Sequence, residues 1–200
     1  MNTLVGRIGF WSAILVTIFL SISGVTSSAS IYMVSNISGF ILTSIFLIVV
    51  TCIYYSAPED KKILGQIGLS FAIIYATMIS MNYFIQLTFV QFGAFNTDIF
   101  SMKDPQSMMM TIEVLGYFFM GLSTLFIAPI FQSGRLEKSI RWLFVFNGIL
   151  GIGGAVGFAL NLDWRILIGG LIIWTIVMPV TTTLLAYWFK TVKLRYILIE

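Results

Sequence analysis

Groups able to do chemistry are scarce in this chain. Its 200 residues include eight carboxylates, one cysteine and no histidine. Glu113 stands out among the acids, because the run that follows it, Val114–Gly134, is 21 uncharged residues long. A helix starting near Ser107 places Glu113 one to two turns inside an apolar span. There a carboxylate is costly and functional by default, binding a proton, a cation or a hydrogen-bonding ligand. A helix starting just after Glu113 spans equally well and makes it a first-turn acid favoured by the helix dipole. Along the helix, Glu113, Tyr117, Met120 and Thr124 share one face. Asn82 and Gln86 are four apart and share a face of the preceding helix, with Tyr75 on the same strip. Facing each other, Tyr75, Asn82, Gln86, Glu113 and Tyr117 form a candidate ligand-binding pocket. The plainer reading of Asn82 and Gln86, and of Asn147 further on, is an interhelical hydrogen bond.

Most catalytic chemistries are excluded by composition. Without histidine there is no histidine-ligated haem, no usual zinc site and no Ser-His or Cys-His pair. A lone Cys52 within an apolar run reads as a small buried hydrophobe and forms no intrachain disulfide. General acid–base work needs two positioned titratable groups, and of the eight scattered acids only the outer group Asp98, Asp104 and Glu113 could converge. The expectation is a protein that is not an enzyme, with no cofactor and no metal. The glycines Gly148, Gly151, Gly153, Gly154 and Gly157 suggest close helix packing. A phosphate loop would need a lysine and a strand that this stretch lacks.

The elements that hold these residues follow from polarity. The chain is 58% hydrophobic and 10% charged, with mean hydropathy +0.99. A soluble domain carries about 25% charged residues, so the outer surface must meet lipid. Arg7 and Glu59 are separated by 51 uncharged residues, enough for two passes. The break between them is expected in the Ser/Thr-rich stretch 21–30. A rival reading takes Arg7, the apolar 8–20 and Ser27-Ser28-Ala29 as a cleaved signal peptide. The fold class expected is all-α: a single domain, 1–200, of six transmembrane helices at about 8–27, 35–55, 64–92, 108–131, 142–160 and 166–189. In the third helix Gly68, Ala72, Ala76 and Ser80 recur every four residues, a small-residue stripe for close packing. In the fifth, Gly153 and Gly157 form a GxxxG pair, the candidate face for homo- or hetero-oligomers. Pro129 is expected to bend or end the fourth helix. Thr181-Thr182-Thr183 beside Pro179 can re-satisfy freed carbonyls in the sixth.

Six helices put both termini and the turns after the second and fourth helices on one side. Arg7, Lys61, Lys62, Arg135, Lys138, Arg141, Lys190, Lys193 and Arg195 then face Lys103 and Arg165, nine cations against two. The positive-inside rule predicts a multi-pass protein of the plasma (inner) membrane with cytoplasmic termini. Trp11, Trp142 and Trp188 fall at the inner boundary and Trp164 at the outer one. The net charge of +3 therefore reports topology, and no nucleic-acid partner is expected. Arg135, Lys138, Arg141, Lys190, Lys193 and Arg195 also suit anionic lipid headgroups.

The stretch Gly116-Tyr-Phe-Phe-Met-Gly-Leu-Ser-Thr, with Gln132-Ser-Gly-Arg-Leu and Phe146-Asn-Gly-Ile-Leu-Gly, covers about 40 residues of apolar helix, Ser-Gly-basic turn and Gly-rich helix. It resembles small six-helix prokaryotic membrane proteins of unknown function, which implies a fold and no activity. In size and topology the chain is also similar to the six-helix substrate-binding subunits of vitamin-type energy-coupling transporters, which bind ligands from the outer side. Three functional expectations result. The first is a non-enzymatic protein binding a small or lipid-like ligand, or a partner helix, through the outer halves of helices 3 and 4. The second is a substrate-binding or ion-coupled transporter component using Glu113. The third is a structural subunit of a larger membrane complex.

Overall fold

The computed structural model describes residues 3–29, 31–90, 100, 107–162 and 173–197, with side chains for the same residues apart from 3, 28 and 192–197. Among them every regular element is helical: α1 (Thr3–Ser28), α2 (Tyr32–Ser56), α3 (Lys62–Ile85), α4 (Met108–Ile127), α5 (Gly134–Ala159) and α6 (Met178–Ile197). A 3₁₀ turn, Glu59–Lys61, leads into α3, and another, Ala128–Ile130, closes α4. A π turn, Gln86–Val90, extends α3, and a second, Ile173–Val177, precedes α6. Among the described residues five segments are long and apolar enough to cross a membrane: Leu4–Ser27, Tyr32–Ser56, Glu59–Val90, Met108–Ile130 and Gly134–Ala159. The first part of the expected sixth helix, 166–172, lies outside the described residues.

Turns of a few residues make α1 and α2, α2 and α3, and α4 and α5 antiparallel, and paired contacts fix the register of neighbouring helices. Between α2 and α3, Gly39 faces the Tyr83 ring, Thr43 Oγ1 lies 2.8 Å from Ser80 Oγ, and Gly65 meets Tyr54. Between α3 and α4, Gly68 meets Ile127, and Gly116 meets Ile79. Between α1 and α6, Gly9 faces the Phe189 ring and Thr17 Oγ1 is 2.7 Å from Thr182 Oγ1. The result is a ring in which α1 packs on α2 and α6, α3 bridges α2 and α4, and α5 lies mainly against α4. The centre is an apolar seam lined by Val16, Leu20, Leu42, Phe46, Tyr75, Met120, Trp174 and Met178, too narrow to hold a water. Outward, large apolar side chains such as Val25, Ile149 and Ile176 are well exposed, a surface that lipid, and not water, suits.

Three boundaries have local causes, and only the third departs widely from the sequence reading. The stretch 21–28 is helical and α2 begins at Tyr32, so the break follows Ser28, at the end of the expected stretch. Hydroxyls there bond back into their own helix, Ser21 Oγ to the Thr17 carbonyl at 2.9 Å and Thr26 Oγ1 to Ile22 at 2.7 Å, so a Ser/Thr-rich run needs no water to stay helical. The fourth helix starts at Met108, as expected for the span 108–131, and the alternative start after Glu113 falls away. Ser107 caps it, its Oγ accepting from the Met110 N–H at 3.1 Å, which satisfies an otherwise orphaned donor. The fifth helix starts at Gly134, eight residues before the expected Trp142, so most of the charged loop is its first two turns. Gly134 makes the turn with φ +77°. Glu137 secures it, Oε2 accepting from the Gln132 and Ser133 N–H groups at 2.9 and 2.7 Å. Pro129 does end α4, within the 3₁₀ turn. The threonines after Pro179 act one turn later than expected. Thr181, Thr182 and Thr183 donate to the Val177, Met178 and Pro179 carbonyls, and the π turn sits where proline interrupts the ladder.

Candidate functional site

The two ends of the bundle differ in chemistry. At one end lie the cationic turns, tied together by three contacts. Lys61 Nζ donates to the Pro129 carbonyl at 2.7 Å, joining the α2–α3 turn to the end of α4. Trp188 Nε1 donates to Glu137 Oε1 at 3.1 Å, joining α6 to the start of α5. Phe189 covers Gly9, joining α6 to α1. Arg7, Arg135, Lys138, Arg141 and Lys190 are exposed around these contacts. The side chains of Lys193 and Arg195 lie outside the described residues. Trp11, Tyr55, Trp142 and Tyr187 are exposed on four helices near this end, a belt of the kind found at membrane boundaries. Trp188 does not join it. It is 6% exposed, committed to Glu137 and edge-on to Phe131 and Phe189. Trp164 lies outside the described residues.

The other end holds the candidate site. Capping at Ser107 puts Glu113 in the second turn of α4 and faces it toward α3. Asn82 Nδ2 donates to Glu113 Oε2 at 2.9 Å and approaches the Met109 carbonyl at 3.4 Å. Tyr117 Oη, one turn on, donates to Glu113 Oε1 at 3.0 Å. Asn82 is fully buried, while Glu113 and Tyr117 are partly exposed. Tyr75 lies behind, its ring centre 6.3 Å from that of Tyr117. Tyr117 also packs edge-on against Trp174 at 5.4 Å, and Tyr75 against Phe46 at 5.5 Å. Among the described residues no cation pairs with Glu113, and the one ion pair joins Lys62 to Glu59.

Four of the five sequence-derived positions thus converge: Tyr75, Asn82, Glu113 and Tyr117. Gln86 is engaged elsewhere, donating from Nε2 to the Phe100 carbonyl at 2.9 Å, which ties the π turn to the segment before α4. Asp98, Asp104 and Lys103 lie outside the described residues. Sequence reasoning missed two members. Tyr83 is buried and close enough to feel the Glu113 charge. It sits beside Asn82 in sequence, but its role depends on the gap that Gly39 leaves for its ring. Trp174 belongs to the π turn, where helical spacing misplaces side chains. Asn147 behaves as a packing residue, Nδ2 donating to Thr124 Oγ1 at 3.0 Å across α4 and α5.

The α4–α5 contact positions Tyr117. A methyl group on Gly151 would lie 2.9 Å from the Tyr117 carbonyl, and one on Gly148 2.9 Å from the Gly121 carbonyl. The close crossing therefore uses Gly121, Gly148 and Gly151. Of the GxxxG pair, Gly157 is buried, whereas Gly153 is exposed with open space beside it. Among the described residues no group of histidine, cysteine or acids could hold a metal ion. Comparison with protein families, curated proteins and solved structures finds no match for this chain.

Proposed function

We propose that this protein is a non-enzymatic multi-pass protein of the plasma (inner) membrane, with both termini cytoplasmic. It binds a small or lipid-like ligand through the outer halves of α3 and α4. The nine-to-two cation asymmetry and the aromatic belt support the orientation. One observation carries the ligand site: Glu113 is held inside an apolar helix by Asn82 and Tyr117, with no cation paired to it among the described residues. A carboxylate at that depth with hydrogen-bond donors and no countercharge among those residues is suited to a cation brought by a ligand.

The test is native purification in lipid nanodiscs, with metabolite and lipid mass spectrometry on wild type and Glu113→Gln. A species enriched with the wild type and absent from the variant is the expected result. Identical profiles would overturn the site. A second reading, a structural subunit docking through α5 with lipids or protein as partners, draws on the exposed Gly153 and the exposed Ile149 and Val156 of that helix. The exposed cations Arg135, Lys138, Arg141 and Lys190 are proposed to contact anionic headgroups at the cytoplasmic face.

A further inference from the structure

The ligand class can be narrowed from the shape and chemistry around Glu113, and the argument rests on the site proposed above. An ionised carboxylate offers about four lone-pair positions. Asn82 and Tyr117 occupy one on each oxygen, so acceptor capacity remains on both. What surrounds the carboxylate is aromatic. Tyr117 donates its hydroxyl to it, the Tyr75 ring centre lies 6.3 Å from that of Tyr117, and Trp174 packs edge-on against Tyr117. Aromatic faces attract cations, most strongly once water is excluded. A divalent metal is a poor fit, because calcium takes about 6–8 oxygen ligands and among the described residues no second acid joins Glu113. A cation with hydrocarbon substituents gains from both features, the charge and the rings.

We infer that the Glu113 site recognises an organic ammonium ion, its charge on the carboxylate and its alkyl groups against the tyrosine faces. The full-length protein in zwitterionic lipid nanodiscs would be titrated with radiolabelled choline, tetraethylammonium and benzyltrimethylammonium. Competition with 3,3-dimethylbutanol, the uncharged isostere of choline, and with sodium chloride completes the set. At least one ammonium probe should bind. It should bind at least tenfold more weakly to Glu113→Gln, and Glu113→Asp should keep most of the affinity. Tyr117→Phe keeps the ring and should lose only a few-fold, whereas Tyr117→Leu should lose more than Tyr117→Phe. Retained binding by Glu113→Asp separates loss of charge from loss of fold. If the neutral isostere competes as well as choline, or if no ammonium probe binds while a co-purifying species still depends on Glu113, the ammonium assignment falls and the site stands. If neither a probe nor a co-purifying species depends on Glu113, both fall.

Discussion

Replacing Gly148 and Gly153 by alanine, one at a time, tests how α4 and α5 hold Tyr117. The two glycines lie five residues apart on α5, and each substitution gains the same helix propensity, about 1 kcal/mol. Their surroundings differ. A methyl group at 153 meets nothing within 4 Å, whereas one at 148 lies 2.9 Å from the Gly121 carbonyl and 2.7 Å from Leu125 Cδ2. Ordinary contact begins near 3.4 Å, so the helices must part by about half an ångström against a backbone atom that cannot rotate away. Overpacking of this kind costs about 1–3 kcal/mol. Gly153→Ala should therefore be neutral or stabilising, and Gly148→Ala less stable than it by about 1–3 kcal/mol. Reversible unfolding by SDS titration in mixed micelles measures the difference. Equal stabilities would refute the close α4–α5 crossing, and with it the account of how Tyr117 is placed.

Other predictions concern the remaining contacts. Glu137→Ala leaves the Gln132 and Ser133 N–H groups and the Trp188 indole without their acceptor. It should cost roughly 1–3 kcal/mol and red-shift tryptophan emission, whereas Arg135→Ala should do neither. Asn147→Leu removes the buried bond to Thr124 and should cost about 0.5–2 kcal/mol in the same SDS titration. Topology can be read with impermeant maleimide on intact cells, because native Cys52 is only 5% exposed. A cysteine at Lys138 should resist labelling from outside, and one at Lys103 should accept it. The reverse pattern would invert the bundle.

The helices were legible wherever polarity alone decides. The α3 stripe is an example: Gly68, Ala72 and Ala76 are buried and Ser80 bonds across to α2. The start of α4 also agreed, since a serine before an apolar run is a capping signal. The start of α5 was hidden because Arg135, Lys138 and Arg141 resemble a loop. A helix emerging from an apolar layer keeps its first turns charged, and Glu137, which caps this one, reads in sequence as one more charge. The glycines were legible as a group. Their density marks close packing, but the face that packs depends on how α5 is rotated, and that rotation brings Gly148 and Gly151 to α4 and leaves Gly153 in open space. At the site, period-four reasoning found Asn82, Glu113 and Tyr117. It did not reach Trp174, which lies in a π turn that shifts side chains off the helical period, and Gln86 is held by the Phe100 carbonyl.

The central claim, that ligand sits beside Glu113 at the α3–α4 end, is tested most directly by photocrosslinking in living cells. Benzoylphenylalanine would replace Met110, one turn before Glu113 on α4 and partly exposed, and separately Ile149, exposed on α5. Intact-protein mass spectrometry would then read the adducts. The account predicts an adduct of discrete mass at position 110 that disappears in Glu113→Gln and is absent at position 149. The same adducts at both positions, unchanged by Glu113→Gln, would contradict it.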